Sequence, residues 1–323
     1  MVLVLTLLLL AFAGWAAPQA TCWEEDGIRW CAALDGAQLR LGRVTAAGIE
    51  DAGPVPAEGI TTIAASTGLL GARGKSLLRL DLPAKRWAEI GTLPAPILQL
   101  LPGEGGAMVL TGTAEQPVPD QSAVWWVQWT PVFAVTRVEA IGDNDHPWQL
   151  WWATVDGEQR LAAATHRATY YARFPHHCMF LYAWKDGKAT PCWLGSRLSR
   201  PYREAAHADL RADGRTRLIA LEETRDGGLG LSVYTPAQFG YTSEWRTESL
   251  PGLERIAARG TIVICTGNDD AGNARTWILQ VKADGYELVP LPETPPSLNA
   301  VTALDATRIA GWWEGAWHIF TAP

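Results

Sequence analysis

Thr21 to Ala33 reads TCWEEDGIRWCAA, two short runs either side of Asp26-Gly27. Asp26-Gly27 supplies two adjacent residues that tolerate positive φ, the requirement of a tight two-residue hairpin turn. Counting outward from that turn, Glu25 faces Ile28, Glu24 faces Arg29, Trp23 faces Trp30 and Cys22 faces Cys31. The last is a non-hydrogen-bonded pair, whose Cα atoms approach to about 4.5 Å, within the reach of a disulfide. The spacing therefore predicts a hairpin closed by a Cys22–Cys31 bridge, in a chain exported to an oxidising compartment.

The same pattern continues downstream. Short runs rich in Val, Ile, Leu, Trp and Tyr recur between Gly, Pro and Asp turns, as in Ile60 to Ala65, Ala107 to Thr113, Met179 to Trp184 and Thr261 to Thr266. Helical periodicity is nearly absent, so the chain reads as all-β. The runs group in threes and fours, with units starting at Thr21, Ile60, Ile97, Trp148, His207, Arg255 and Asn299. Units of about 40 to 50 residues with four strands each are the signature of propeller blades. The expectation is one β-propeller domain over 21–323 with seven blades. The final unit is short by one strand, so the N- and C-terminal strands are expected to share a closing blade. Fusing the first and last units would give six blades, and a β-sandwich is the remaining alternative.

Val2 to Ala13 (VLVLTLLLLAFA) is an uninterrupted apolar run followed by small residues, and the first charged side chain is Glu24. That is the layout of a signal peptide over 1–20, too short as a helix to span a bilayer core. It implies a secreted, periplasmic or cell-envelope protein with no membrane span, unless the segment is retained as an N-terminal anchor. Cys178 and Cys192 flank a second hairpin signal at Asp186-Gly187 and are expected to form a second bridge through a bulge near Pro191. Cys265, in the apolar run TIVIC, reads as a core thiol.

The 17 Trp, 31 Gly and 21 Pro, with 19% charged residues, exclude a disordered tail, a coiled coil or a collagen-like chain. A net charge of -7 and the lack of any basic stripe exclude a nucleic-acid partner. The doublets Trp125-Trp126, Trp151-Trp152 and Trp312-Trp313 put adjacent indoles on opposite faces of a strand. A propeller covers both faces of every blade, so they read as inter-blade packing. Trp148 and Trp317, at strand ends, are the exceptions that qualify as ligand-stacking candidates.

Ala205 to Leu221 (AAHADLRADGRTRLIAL) resembles the repeat of FG-GAP or VCBS-type β-propellers, in which an Asp-rich loop precedes an apolar strand. Asp209, Asp213 and Gly214 match the first and third acidic positions and the glycine, and Leu218-Ile219-Ala220 supplies the strand. The resemblance implies calcium in this loop. Arg211 and Arg217, however, stand at acidic positions of the pattern, so an arginine is expected to replace the cation by pairing with Asp209 and Asp213. No cofactor is expected, calcium being the one that the resemblance raises. Ile141 to Trp152 (IGDNDHPWQLWW) is a degenerate second copy bearing Asp143 and Asp145. Gly267 to Trp277 (GNDDAGNARTW) resembles the Asp-box of sialidase-type propellers through Asn268, Asp270, Gly272, Thr276 and Trp277, which implies a hairpin turn outside a blade rather than catalysis.

Phe174 to Met179 (FPHHCM) is the most metal-like run, but neighbours on a strand point apart, so no metal site is expected. No nucleophile elbow, zinc-binding helix or phosphate-binding glycine loop is present in the sequence. The functional expectation is a non-catalytic propeller binding a protein or glycan partner, with Trp148, Asp143, Asp145, His207, Asp209 and Trp317 as ligand-binding candidates. The alternative is a carbohydrate-active hydrolase or lyase with a central acidic, Trp-lined funnel, its carboxylates drawn from Asp143, Asp145, Asp209, Glu222 or Asp269.

Overall fold

A computed structural model of the chain describes residues 20–113, 120–170, 173–195, 198–237, 240–269, 271–291, 301–305 and 307–321. The leader expected to be a signal peptide lies outside them apart from Ala20. The described residues form seven antiparallel sheets in strict chain order, the arrangement of a seven-bladed β-propeller. The first blade comprises β1 (Ala20–Glu25), β2 (Ile28–Asp35), β3 (Gln38–Thr45) and β4 (Gly48–Pro56). The second comprises β5 (Thr62–Ser66), β6 (Gly68–Arg73), β7 (Ser76–Asp81) and β8 (Arg86–Thr92). The third comprises β9 (Ile97–Gly103), β10 (Gly106–Thr113), β11 (Asp120–Gln128) and β12 (Ala134–Arg137). The fourth comprises β13 (Gln149–Val155), β14 (Glu158–Arg167), β15 (His176–Lys185) and β16 (Lys188–Leu194). The fifth comprises β17 (Tyr202–Ala208), β18 (Arg217–Glu223), β19 (Leu229–Ala237) and β20 (Gly240–Arg246). The sixth comprises β21 (Leu253–Arg259), β22 (Ile262–Asn268), β23 (Ala274–Lys282) and β24 (Gly285–Pro290). The seventh comprises β25 (Val301–Ala303), β26 (Arg308–Trp313) and β27 (Ala316–Thr321).

The first strand of each blade lies innermost, and successive inner strands pack against one another around the axis, β1 touching both β5 and β25. Because the strands alternate in direction, all blade-to-blade connections and all second-to-third turns lie at one end of the ring, here called the upper end. Side chains tie the inner strands together. Gln99 donates to the Leu150 carbonyl at 2.8 Å and accepts from the Leu150 amide at 2.9 Å, and Glu204 accepts from the Ile256 amide at 2.8 Å.

The opening hairpin has the register that its turn dictates. Asp26 (φ 52°) and Gly27 (φ 73°) form the turn, Cys22 pairs with Cys31 and Trp23 with Trp30. The Cys22–Cys31 disulfide closes it across a Cα separation of 4.2 Å. The second expected bridge does not form, and Cys178 and Cys192 are both free thiols. Asp186-Gly187 does turn the chain, and a bulge does fall beside Pro191. It places Cys192 beside Leu181 and Tyr182, three residues and about 10 Å along the strand from Cys178.

The Trp doublets pack as the blade geometry requires. Trp126 faces the fourth blade and Trp125 the opposite side. Trp151 packs towards the fifth blade and Trp152 towards the third, while Trp312 joins the first blade and Trp313 the sixth.

Among the described residues, no strand from the start of the chain completes the last blade. β1 pairs with β2 and serves as the inner strand of its own blade, and β27 is outermost in a seventh blade of three described strands. The hairpin explains this, because the tight turn commits one edge of β1 to β2 while its other edge faces the axis. The first and last blades instead meet face to face. Ala20 and Ala33 pack on Trp312 and Trp317, and Arg29 donates to the Leu304 carbonyl at 3.1 Å. A Cβ on Gly42 would stand 2.8 Å from the Trp317 indole, so glycine alone admits that ring.

Candidate functional site

The upper end of the fourth blade gathers histidine, cysteine, arginine and aspartate side chains. The β14 to β15 pairing sets His166 opposite His177, Arg167 opposite His176 and Thr165 opposite Cys178. Above them, the connection from the third blade turns through a short 3-10 segment, Asp143–Asp145. Asp145 is buried (6% exposed), pairs with Arg167 and accepts from the Gly142 amide at 2.7 Å. Asp143 is exposed and pairs with Arg137.

Trp148, the residue expected to stack on a ligand, is 4% exposed. It packs against His177 at 5.0 Å and Tyr202 at 6.3 Å, so it supports the cluster from beneath and offers no face to a sugar. His177 shares a hydrogen bond with the Tyr202 carbonyl at 3.0 Å and meets His166 edge-on at 5.3 Å. Burial, followed by the neighbouring His177, His146 and His176, lowers the His166 imidazole to about 4. Burial also lowers His177 and pushes the Cys178 thiol up to about 12. Burial therefore favours the neutral forms of His166, His177 and Cys178 at pH 7. Among the described residues, no group of three or more His, Cys, Asp or Glu is arranged to hold a metal ion.

Outside this neutral core the blade presents apolar surface. Six large hydrophobic side chains stand exposed among the described residues, and three of them, Tyr170 (80%), Phe174 (62%) and Leu194 (54%), crown the upper end of the fourth blade. Arg173 lies over the Tyr170 ring at 5.8 Å. The other three, Ile28, Val132 and Val281, are scattered over three blades at the lower end.

The remaining candidates lie elsewhere. His207 is buried between the fourth and fifth blades towards the lower end, its Nε2 2.9 Å from the Tyr241 hydroxyl and its ring 4.8 Å from Trp151. Burial lowers it to about 3. Asp209 follows in the lower β17–β18 loop and accepts from the Asp213 and Gly214 amides at 3.1 and 2.8 Å. Arg217 fills that loop, with a side chain 6% exposed, donating to Asp213 at 2.6 and 2.7 Å and lying 3.7 Å from Asp209. Hydrogen bonding from Arg217 holds the Asp213 carboxyl well below the carboxylate range. Arg211 instead reaches Glu244 at 2.9 Å and covers Tyr286. Trp317, at the upper end of the seventh blade, packs edge-on against Trp312 at 5.6 Å.

The six candidates thus divide among three places, and the carboxylates named for glycoside chemistry do not converge. Asp209 sits at the opposite end from Asp143 and Asp145. Asp269 holds its own turn in the sixth blade, accepting from Asn273 and Arg275, while Asp270 of the same turn lies outside the described residues.

No family model matches the chain, and no curated protein matches it. Solved structures do. A candidate 6-phosphogluconolactonase from Bacteroides uniformis aligns over 82% of this chain and 81% of its own, with a TM-score of 0.50 and 13% identity. A chain of the mitotic checkpoint complex aligns over 90% and 86%, with a TM-score of 0.61 and 9% identity. The likeness is one of fold. At such identities it carries the propeller ring and no residue of either protein's site.

Proposed function

We propose that the protein is an exported β-propeller that binds a protein or glycan partner through the upper end of its fourth blade. The observation that carries this reading is the grouping of Tyr170, Phe174 and Leu194 at one blade end, beside Arg173, while the opposite end presents isolated apolar side chains. Exposed aromatic rings rimmed by arginine are the usual anchors of a binding patch. The buried His, Trp and Tyr layer beneath gives the patch a rigid floor. Export is supported by the Cys22–Cys31 bridge and the apolar leader, and among the described residues no helix is long and apolar enough to cross a membrane. A glycan array probed with the secreted protein tests the reading, alongside a Tyr170→Ala/Phe174→Ala variant and with or without calcium. Binding to a defined set of glycans that the variant loses and calcium does not alter supports it. Undiminished binding by the variant removes this patch from the account.

A further inference from the structure

At the upper end of the fifth blade, Ser199 stands exposed in the connection from β16 to β17. Its Oγ lies 2.6 Å from the Tyr234 hydroxyl. Tyr234, 3% exposed, hydrogen-bonds in turn to the fully buried Glu222, whose second oxygen accepts from the Ser232 hydroxyl at 2.7 Å. The direction of this chain is fixed by its end. Both Glu222 oxygens accept, one from Ser232 and the other from Tyr234, so the Tyr234 oxygen is left to accept the Ser199 proton. Arg246 donates to the Ser199 Oγ at 3.1 Å and to Ser243 at 2.9 Å, which places a cation beside the serine oxygen.

We propose that Ser199 is a nucleophile for acyl transfer from carboxylic esters, with Tyr234 as proton relay and Glu222 as base. This goes beyond the binding reading and does not depend on it. An exposed hydroxyl, a positioned relay and a buried acceptor reproduce the arrangement by which a weak alcohol nucleophile is activated. In the step, the Ser199 Oγ–carbon bond forms as its proton passes to Tyr234 and the Tyr234 proton passes to Glu222. Collapse breaks the ester C–O bond as Glu222 returns the proton to Tyr234 and Tyr234 passes its own directly to the leaving alkoxide. Water then repeats the sequence to release the acid. Arg246 is the group that meets the developing oxyanion. The burial that raises the Tyr234 phenol to about 12, ahead of the effect of Glu222, keeps it protonated, so it transfers a proton in concert rather than resting as a tyrosinate.

A fluorophosphonate reporter tests this directly on the full chain, because its P–F bond breaks as the Ser199 Oγ–P bond forms and fluoride departs. The expected result is one covalent adduct mapped by mass to Ser199, absent in Ser199→Ala, with labelling slowed roughly a hundredfold in Tyr234→Phe. Glu222→Gln serves as a second relay variant, with melting temperatures taken for each. A hydroxyl cluster that merely pins the connection would give no adduct. That result, an adduct that persists in Ser199→Ala, or wild-type labelling by a folded Tyr234→Phe or Glu222→Gln protein would overturn the proposal.

Discussion

Trp312 donates its indole N–H to the Asp35 carboxylate at 3.2 Å, joining residues 277 positions apart in sequence. Arg40 lies over the same indole at 5.1 Å and pairs with Asp35 at 3.1 Å. This ring and the charges around it thus fasten the last blade to the first, beside the packing of Trp317 and the Arg29–Leu304 hydrogen bond. Trp312→Ala should cost about 3–5 kcal/mol in urea unfolding, the range for emptying a packed aromatic site, whereas Asp35→Ala should cost about 1 kcal/mol. Equal and small losses for both would show that the ring closes elsewhere.

The Cys22–Cys31 bridge closes a loop of separation 9, for which chain entropy allows about 2–3 kcal/mol. Peptide mapping without reduction should recover Cys22 linked to Cys31, with Cys178, Cys192 and Cys265 all alkylatable after unfolding. Recovery of a Cys178–Cys192 peptide would contradict the observed register of β15 and β16.

Arg217 makes the Asp209 loop self-sufficient. A chelator should shift the melting temperature by less than about 1 °C, because the guanidinium already answers the carboxylates. Arg217→Met removes the cation that Asp213 shares with Glu244, leaving Glu244 its Arg211 partner, and should lower stability by about 1–2 kcal/mol. A fall of several degrees on chelation of the wild type would mean that a cation occupies this loop.

The His layer gives the fold an acid limit. His166 and His207 are held neutral in the native state, at about 4 and about 3, against about 6.5 when unfolded. The unfolded chain therefore binds more protons as pH falls, so stability is complete above about pH 6.5 and is lost from there down towards pH 4 and 3. Thermal melts should show this decline, and His207→Gln should flatten its lower part. Melting that is constant from pH 7 to 4 would contradict the burial of these rings.

Most of the ring was legible in the sequence, because its rules are local. The expected unit starts at Ile60, Ile97, Trp148 and Arg255 fall within two residues of β5, β9, β13 and β21, since each turn is marked by Gly, Asp or Pro and each strand by its apolar run. The bend of Asp209 around Arg217 was also legible, as a charge swap within one loop. The closing blade was not, because nothing in β1 says which of its edges will face the axis. Trp148 likewise reads the same whether a strand end is covered or bare, and here His177 and Tyr202 cover it. His166 was missed since only the β14–β15 register brings it to His177. Ser199, Tyr234 and Glu222 come from three segments with no spacing to link them.

A photo-crosslinking amino acid reads out the proposed binding face. Placed at Phe174, at the upper end of the fourth blade, it should capture a discrete partner band from the native compartment, while the same group at the exposed Val132 of the lower end should capture none. Capture from Val132 alone, or equally from both positions, would contradict the account.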